Sequence, residues 1–562
     1  MPQYENPGVY VEEVSFRARS IEGVSTDTAA FVGPTRRGPV GAVPEPLHSP
    51  ADFERIYGGP EDLQLADIGV PSLRLNFVAL SVRAYFDNGG RTLYVARTAR
   101  DAASASGVLK EAEDEAHRAT LRAPFPGAAY NGRVLLREVG VPVTVAALGA
   151  APVGSLLAVA DAAGVETLYV GSGNAWADAA GVALDLAGVG AEAHLLTLTV
   201  EYSASDEAPL AWSRVGFAAT HPRWLGTVMG TPLRVEIGSA VDAFALLAAV
   251  RALPWVAAGD PAGRRVVALA GGSDGASPLA GHSDTPGSYA AALALLADVD
   301  GISTVAAPGS SAWPDGPAIR AALVDHVARP GSGCFAVLDG PPGQTPTEVR
   351  ALRATLETPH AALYYPWVVV ADAIVLPPSG FVAGIFARSD NARGVHRAPA
   401  NEAVQGARRF ERDISLGELE LLNPAGVNCL RFLPGRGLRV WGARTASSDP
   451  EWKYVNVRRL MNYLALSIER GTRWTVFERD GDALRASVRR VIGDFLMTAW
   501  RAGMLQGVRP EDGFFVHCDD STTTQNDVDN GRLVAMVGVA VLRPAEFVIL
   551  PIARWTADAK PP

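Results

Sequence analysis

Cysteine is scarce in this sequence of 562 residues, which contains Cys334, Cys429 and Cys518 and no others. The three are far apart, odd in number, and none lies in a C-x-x-C or C-x-x-H spacing. These features exclude a disulfide framework and a structural zinc site as the basis of the fold. We expect all three to be buried, reduced thiols.

Several other signals are also missing. The sequence has no apolar run of about 20 residues, the length that spans a bilayer, and its first residues lack the basic and apolar regions of a secretory signal. A net charge of −10 gives no support for nucleic-acid binding. The G-x-x-x-x-G-K-[ST] phosphate loop is absent, which argues against nucleotide hydrolysis. We expect a chain that folds in the cytoplasm, inserts into no membrane and needs no metal or cofactor.

Both ends of the sequence read as β-strands without a nearby partner. Pro7–Val14 has an extended, alternating pattern, and Glu546–Leu550 lies just beyond a long apolar strand. Exposed strand edges pair readily with other chains, so natural proteins normally protect them. A chain with such a strand at each end is suited to donating both to neighbouring copies. We predict that this exchange involves Val9, Tyr10, Val11 and Glu12 at one end and Phe547, Val548 and Ile549 at the other.

The length of the chain predicts roughly three or four domains, because a single hydrophobic core does not grow this large. Turn signals and changes in periodicity divide it into an N-terminal arm (1–26), a mixed α/β segment (27–99), a β-rich insertion (100–225), an α/β domain (226–436), a C-terminal α+β domain (437–542) and a terminal strand (543–562). The predicted fold class is therefore α/β and α+β, in several domains.

Strand and helix patterns alternate through most of the α/β domain. The predicted strands are 265–270, 302–306, 334–338 and 362–370, with helices between them. Such alternation predicts a parallel sheet covered on both faces. The stretch 377–437 is rich in Gly and Pro, and we interpret it as a connecting segment.

The C-terminal domain has the clearest pattern. Helices are predicted at about Val455–Arg470 and Ala483–Leu505, each with apolar residues on one face. Phe514–Val516 and Leu533–Leu542 are expected to pair around the turn Asp529–Gly531. This predicts two helices packed on one antiparallel sheet.

Several stretches, in the same order along the chain, resemble the contractile tail sheath proteins of bacteriophages and of related extracellular contractile injection systems. The resemblance covers roughly 200 residues near both termini and extends weakly through the middle. The matching stretches are Pro7–Glu13, Gly23–Thr26, Ala29–Gly33, Val440–Thr445, Trp452–Leu460, Asn530–Gly531 and Pro544–Phe547, with Gly271–Gly275 and Ala306–Gly309 between them.

The resemblance implies a structural subunit rather than an enzyme. Such proteins stack as six-membered rings around an inner tube protein, with baseplate and terminator (cap) proteins at the ends. They contract to drive the tube through a target envelope. It further implies that the α/β domain is subtilisin-like without the chemistry, that the insertion faces outward, and that the two end strands join the sheets of neighbouring subunits. Assembly is expected in the cytoplasm of a bacterial cell, as part of a phage tail or of an extracellular or cytosolic particle.

Four arginines fall on or near the outer face of the second C-terminal helix: Arg485, Arg489, Arg490 and Arg501. One interpretation is an ordinary solvated helix face. The other is that this face grips an acidic inner tube through charge contacts, which are weak enough individually to release. Both interpretations stay open on the sequence alone.

Two alternative functions remain to be weighed. Gly271–Gly275 matches the G-x-S-x-G pattern of serine hydrolases, with Ser273, Asp274 and His282 as candidates, although a proline-containing loop follows the serine where a helix is required. A non-contractile surface or capsid-like protein whose insertion binds glycans is the other alternative.

Possible metal ligands at His517–Asp520 and Asp527–Asp529 lack the remaining positions of a calcium loop, so solvated turns are the simpler interpretation.

Overall fold

The computed structural model describes residues 20–546 of the chain, apart from 71–72, 174, 186–192, 205–208, 231, 258–259 and 479–480. In these ranges the strands are, in chain order, β1 (Thr28–Pro34), β2 (Thr92–Thr98), β3 (Ser106–Lys110), β4 (Ala119–Arg122), β5 (Gly132–Pro142), β6 (Leu156–Ala160), β7 (Glu166–Gly171), β8 (Trp176–Ala177), β9 (Ala193–Ala204), β10 (Leu210–Val215), β11 (Arg234–Ile237), β12 (Arg264–Leu269), β13 (Thr304–Ala306), β14 (Phe335–Asp339), β15 (Ala361–Tyr365), β16 (Val368–Val369), β17 (Val375–Leu376), β18 (Glu402–Ala403), β19 (Arg409–Phe410), β20 (Val427–Leu433), β21 (Gly437–Trp441), β22 (Phe514–His517) and β23 (Met536–Val539).

The α-helices of the same ranges connect or cover these strands. They are α1 (Pro50–Tyr57), α2 (Phe77–Asp87), α3 (Val145–Leu148), α4 (Leu225–Val228), α5 (Ala243–Ala252), α6 (Tyr289–Ala297), α7 (Gly316–Ala328), α8 (Pro346–Ala354), α9 (Pro378–Arg393), α10 (Leu416–Leu422), α11 (Val455–Thr472), α12 (Asp482–Arg501), α13 (Pro510–Gly513) and α14 (Gln525–Asp529). The protein is thus a mixed α/β, multidomain chain with several sheets. None of the described helices combines the length and the apolar composition that crossing a membrane would need.

The largest sheet has eight strands in the order β18-β21-β20-β15-β14-β13-β1-β2. Every neighbouring pair from β2 to β20 is parallel, whereas β21 runs antiparallel to both β20 and β18. Strand β1 is an interior strand, next to the edge strand β2: Ala30 lies opposite Val305 on one side and Tyr94 on the other, and all residues of β1 are buried. Strands β13, β14 and β15 confirm the predicted parallel sheet.

This sheet draws strands from three of the predicted segments. β1 and β2 come from 27–99 and β21 comes from 437–542, yet all pair within the sheet of the α/β domain. Pairing over such sequence distances is decided by packing between elements, which local periodicity does not report. The domain boundaries drawn from the sequence therefore stay predictions.

The predicted placement of strand 265–270 is wrong. The strand forms as β12, but it pairs antiparallel with β5, where Val266 lies opposite Leu135. The sheet that contains it has the order β12-β5-β9-β6-β7-β8, with β10 paired to β9. A short apolar run fits a buried parallel strand and an antiparallel core strand equally well, so its pattern alone could not decide between them.

The β-rich insertion has a hydrophobic core of its own. Helix α5 packs against the seven-stranded sheet, and β11 pairs with β4 in a small separate sheet. The insertion's sheets therefore extend to β12, beyond residue 225. Among the buried residues of this core are Val134, Leu136, Leu198, Val200, Leu246, Leu247 and Val250.

Helix α9 lies where the sequence predicted only a connecting segment. Most of its 16 residues are buried, so it lacks the amphipathic period that identifies a surface helix, and its glycines lower its helix propensity. The glycines allow α2 to approach closely. A Cβ at Gly384 would lie 2.4 Å from the carbonyl oxygen of Tyr85, and one at Gly380 would lie 2.7 Å from the Cβ of Ser81.

The C-terminal unit confirms the predicted arrangement of two helices and a strand pair. Helices α11 and α12 share a core with the hairpin β22–β23, in which Phe514 lies opposite Val539 and His517 opposite Met536. The buried residues between the helices include Leu460, Leu464, Val488, Ile492, Phe495, Leu496 and Ala499.

A buried ion pair ties this unit to the central domain. The guanidinium of Arg459 on α11 contacts both carboxylate oxygens of Asp390 on α9, at 2.6 and 3.0 Å, and both side chains are almost fully buried. The same guanidinium donates to the carbonyl oxygen of Thr26 at 3.2 Å and lies over the ring of Phe386. Burial raises the pKa of Asp390, and the attraction of Arg459 opposes that rise.

Removal of this arginine should cost far more stability than removal of an exposed arginine just beyond the end of α11. Arg459→Ala leaves the Asp390 carboxylate buried without its counter-charge, so we expect a loss of about 3–5 kcal/mol. The matched control is Arg473→Ala, which breaks an exposed pair with Glu469 and should cost about 0–1 kcal/mol. Urea unfolding followed by tryptophan fluorescence measures both, and equal midpoints for the two variants would contradict the proposed role of the ion pair.

Candidate functional site

The described chain begins against the C-terminal end of α11. Ile21 packs on Gly471, where a Cβ would come within 2.4 Å of the isoleucine side chain, and Gly23 lies under the ring of Tyr463. The backbone N–H of Val24 donates to the hydroxyl of Ser467 at 3.1 Å. Residues 20–26 thus form a strap along α11.

The described chain ends at Glu546, in a cluster of cationic and hydroxyl groups. Arg444 contacts its carboxylate through two nitrogens, Nε at 2.8 Å and Nη2 at 2.5 Å. The Tyr454 hydroxyl donates to it at 3.3 Å, and the Lys453 ammonium lies 3.7 Å away. Arg444, which is largely buried, also donates to the carbonyl oxygen of Asn423 at 2.9 Å. We call this set of contacts the Glu546 clamp.

The electrostatics of the Glu546 clamp favour the ionised carboxylate. Burial acts to raise the pKa of Glu546, but its hydrogen bonds to Arg444 and Tyr454 and the charges of Arg444 and Lys453 outweigh burial and lower it. The clamp is therefore complete at neutral pH and depends on the negative charge.

The strap and the Glu546 clamp contact opposite ends of helix α11. Lys453 and Tyr454 directly precede α11, while Gly471 lies in its last turn. An α-helix of 18 residues is about 27 Å long. Helix α11 therefore sets the distance between Ile21 in the strap and the Glu546 clamp.

The hairpin β22–β23 is the nearest candidate acceptor for an added strand. In the described part of the chain its sheet has two strands, and Phe515 and Met536 expose about half of their surface. Just beyond β23 the chain is held by Gln506, whose backbone N–H donates to the Ala540 carbonyl at 2.8 Å. Within the described residues each strand of this sheet has one neighbour, so its outer edges leave backbone groups with which an added strand could pair.

The residues predicted to exchange lie outside the described ranges. These are Val9, Tyr10, Val11 and Glu12 in the N-terminal arm and Phe547, Val548 and Ile549 after the Glu546 clamp. Their role in strand exchange stays a prediction.

The structure separates the four predicted arginines of α12 into two pairs. Arg485 is buried and its Nη1 lies 2.5 Å from the Asp520 carboxylate, while Arg489 donates to the Cys518 carbonyl at 3.3 Å. Arg489, Arg490 and Arg501 are all exposed. The separation of Arg490 and Arg501 by eleven residues places both on one face of the helix, about 16 Å apart. An outward charge contact therefore suits Arg490 and Arg501 better than Arg485.

The Gly271–Gly275 loop joins the insertion to the main body. Ser273 bridges antiparallel to Ala103, within a ribbon that also pairs Arg100 with Ala276 and Ser106 with Ala270. Its hydroxyl accepts a hydrogen bond from the Gly275 N–H at 3.0 Å. The next helix along the chain is α6, which begins only at Tyr289, so the geometry differs from that of a nucleophile elbow.

Asp274 acts as a structural acceptor in this loop. Its two carboxylate oxygens accept hydrogen bonds from the backbone N–H groups of Gln64 and Ala128, each at 2.8 Å. His282 is exposed, and within the described residues no hydrogen bond joins it to Ser273. The structure therefore does not bring the three hydrolase candidates together as a triad.

The predicted acidic turns serve local structure. Asp519 accepts hydrogen bonds from the N–H and hydroxyl of Ser521, and Asp527 forms a capping box with Thr524 at the start of α14. Among the described residues, no group of three or more His, Cys, Asp or Glu side chains is arranged to hold a metal ion. All three cysteines are buried, as expected.

The sequence did not predict the contacts that form the Glu546 clamp. Arg444, Lys453, Tyr454 and Glu546 all lie in the stretches that carry the family resemblance, but nothing in their spacing showed that they meet. The available signal was a lone charge beside an apolar strand, since Arg444 directly follows Val440–Ala443. Such a charge needs a partner once it is buried.

Known proteins match this chain over most of its length. The phage tail sheath protein central domain matches residues 284–446, and the phage tail sheath C-terminal domain matches residues 447–553. The tail sheath protein of Vibrio phage KVP40 is 24% identical over 188 residues, which cover 33% of this chain and 27% of that relative. The tail sheath protein of Burkholderia phage BcepMu is 30% identical over 133 residues, which cover 20% and 28%. The alignments thus span less than a third of these curated relatives.

A solved structure gives a match over the whole chain. The anti-feeding prophage helical sheath in its contracted state aligns with 99% of this chain and 100% of its own, with a TM-score of 0.53 and 21% sequence identity. At this identity the match establishes the fold.

The Glu546 clamp should be sensitive to loss of its negative charge. Glu546→Ala leaves the Arg444 guanidinium buried beside one backbone carbonyl, so we expect a loss of about 3 kcal/mol. Faster hydrogen exchange in peptides that span 442–456 would report it. Glu451→Ala removes a neighbouring exposed carboxylate and should leave the same peptides unchanged.

The same measurement has a pH dependence with a defined sign. Because the pKa of Glu546 is lowered from 4.5 in the folded chain, the clamp's stabilisation is full above that value and is lost as the pH falls through the lowered pKa. Exchange corrected for its intrinsic rate should rise between about pH 5 and pH 3 in the native chain. It should be already raised and flat in Glu546→Gln, and parallel profiles would contradict the assignment.

Proposed function

Because this chain belongs to the phage tail sheath family, we propose that it is the structural subunit of a contractile sheath, stacking as six-membered rings around an inner tube. Contraction of the stack would drive the tube through a target envelope. The observation that carries this proposal is the pair of sheath domains that match residues 284–553 in succession. The match of the whole fold to a contracted sheath supports it.

In this proposal each subunit lends strands to its neighbours. The N-terminal arm, with Val9, Tyr10, Val11 and Glu12, and the C-terminal strand, with Phe547, Val548 and Ile549, would add to the β22–β23 hairpin of adjacent copies. The exposed apolar residues and the incomplete sheet of that hairpin support this role for it. The strap along α11 and the Glu546 clamp would anchor the two segments to their own subunit.

The energy of such a junction is small for each copy and large for the lattice. A lent strand that makes five or six ladder hydrogen bonds contributes roughly 5 kcal/mol, at about 1 kcal/mol net each. Ordering the arm costs roughly 1–2 kcal/mol per fixed residue, so burial of the apolar side chains must supply the remainder. One junction would be marginal, whereas many in a stack act together. The work of contraction would then be stored during assembly and would need no ATP.

The remaining parts of the chain have supporting roles in this proposal. The eight-stranded domain would be the subtilisin-like scaffold of the family without catalytic chemistry, in line with the position of Ser273 in a connecting ribbon. The insertion would face outward. Assembly would take place in the bacterial cytoplasm, with baseplate and terminator proteins closing the two ends of the sheath.

Arg490 and Arg501 are the residues we propose to contact the tube. They are exposed on one face of α12, where charge contacts with an acidic tube surface would be individually weak and reversible. Arg485 and Arg489 would instead hold the 518–520 loop through contacts within the subunit.

Electron microscopy of the purified protein tests strand exchange directly. Deletion of residues 1–19 removes the predicted donor strand and should abolish ring stacks while leaving the far-UV circular dichroism and the unfolding midpoint of the monomer unchanged. Deletion of residues 1–6 retains Val9–Glu12 and is the matched control, expected to assemble like the native chain. Ring stacks of normal length from the 1–19 deletion would refute the exchange.

The tube contact is tested by charge reversal. Arg490→Glu combined with Arg501→Glu should reduce the fraction of sheaths that contain a tube at least about tenfold, because two attractive contacts per subunit become repulsive and repeat along the stack. Arg473→Glu reverses an exposed charge just beyond the end of α11. It is the control and should leave the fraction of tube-containing sheaths unchanged. Normal tube loading of the double variant, scored in electron micrographs, would overturn the assignment.

A further inference from the structure

The outer insertion carries a groove that contraction does not require. The groove lies at the last turn of α5, where the helix leaves strands β5, β9, β6 and β7 uncovered, and its volume is about 370 Å³. Gly140, Ala158 and Leu196 line its floor, where a Cβ at Gly140 would lie 3.4 Å from the His194 side chain. Its walls carry the polar and aromatic groups that determine what it can bind.

One wall is a rigid array of carboxylate oxygens around Arg251. The guanidinium donates to both oxygens of Glu138, at 2.6 and 2.9 Å, and to both oxygens of Glu166, at 2.9 and 3.0 Å. These hydrogen bonds raise the pKa of Arg251, which keeps it charged. Each carboxylate oxygen has a second lone pair that can accept a hydrogen bond from a ligand. The array is therefore a set of fixed acceptors whose geometry is already in place.

The opposite wall is an exposed tryptophan. Trp255 is 47% exposed, although an indole of this size is normally well covered. The guanidinium of Arg265 lies 3.4 Å from the centre of its ring and donates through Nη1 to the Leu253 carbonyl at 2.7 Å. The indole is thereby held in one orientation, with an apolar surface exposed beside the carboxylate array. His194 adds a further ring nitrogen to the lining.

The charges of the groove compensate one another. Glu138 and Glu166 balance Arg251 and Arg265, so an ionic ligand would gain little net attraction. What the groove offers is a flat apolar surface next to many hydrogen-bonding groups. A neutral molecule with an apolar face and a rim of hydroxyl groups fits this combination, since its C–H face can pack on the indole while its hydroxyls donate to the carboxylates.

We propose that this groove binds a neutral saccharide, with Trp255 as the stacking platform and the Glu138–Arg251–Glu166 array as the hydroxyl acceptor. Both carboxylates are engaged by one guanidinium, so neither is free to act as a general acid, and the groove binds without hydrolysing. Saccharide binding by this groove is independent of contraction and is expected whether or not the chain forms a sheath. A sheath that displays it on an outer insertion would carry a low-affinity glycan contact on every subunit.

An array of neutral oligosaccharides from bacterial and animal glycans, probed with the full chain, tests this directly. The strongest ligand is then measured by saturation-transfer-difference NMR. We expect binding by the native chain, about tenfold weaker binding by Trp255→Ala, and binding within about threefold of native by Trp255→Phe, which keeps an aromatic surface. Leu210→Ala removes an exposed apolar side chain from the same sheet outside the groove and is the control.

Three results would overturn the proposal. One is the absence of binding to any neutral oligosaccharide on the array. Another is equal affinity of the native chain and Trp255→Ala, with Leu210→Ala also unchanged. The third is binding of dextran sulfate with no binding of uncharged dextran or any other neutral sugar, since this would make the groove a site for anions. Circular dichroism of each variant shows that the fold is intact.

Discussion

The buried ion pair between Arg459 and Asp390 fixes the position of α11, and much of the molecule depends on that position. A charged pair without water is tolerated only when its geometry is good and its remaining hydrogen bonds are made. Here both carboxylate oxygens face one guanidinium, which also donates to Thr26 at the root of the N-terminal strap. A small shift of α11 along α9 would leave two charges unpaired inside the protein. The pair therefore acts as a register lock between the central domain, the C-terminal unit and the strap.

By fixing α11, the ion pair also fixes the positions of the strap and of the Glu546 clamp relative to each other. The strap is held at one end of α11 and the Glu546 clamp at the other. The strap combines apolar packing of Ile21 with a hydrogen bond from Val24, whereas the Glu546 clamp is held by charge. On α12, Arg485 is buried beside Asp520, whereas Arg489, Arg490 and Arg501 are exposed.

Sequence reasoning predicted the elements with local patterns and failed where distant contacts decide. Helices α11 and α12 and the hairpin β22–β23 were correct because apolar periodicity and turn residues define them locally. Helix α9 was missed because it is buried on nearly all sides and its glycines serve the close approach of α2. Strand β12 was recognised but assigned to the wrong sheet. The Glu546 clamp could not be derived, because the three stretches that build it are joined only by the fold.

The way the insertion is attached determines how easily it could be replaced by another domain. The chain enters and leaves the insertion through neighbouring strands of one short ribbon, from Arg100 opposite Ala276 to Ser106 opposite Ala270. Paired residues in such a ribbon have Cα atoms only about 5 Å apart. The chain therefore passes between the eight-stranded domain and the insertion through a narrow two-strand stalk, beside which Arg97 donates to the Pro126 carbonyl at 2.7 Å. A domain whose N- and C-termini lie close together could replace the insertion at this stalk. The position is therefore suited to the exchange of whole domains and to the display of foreign ones.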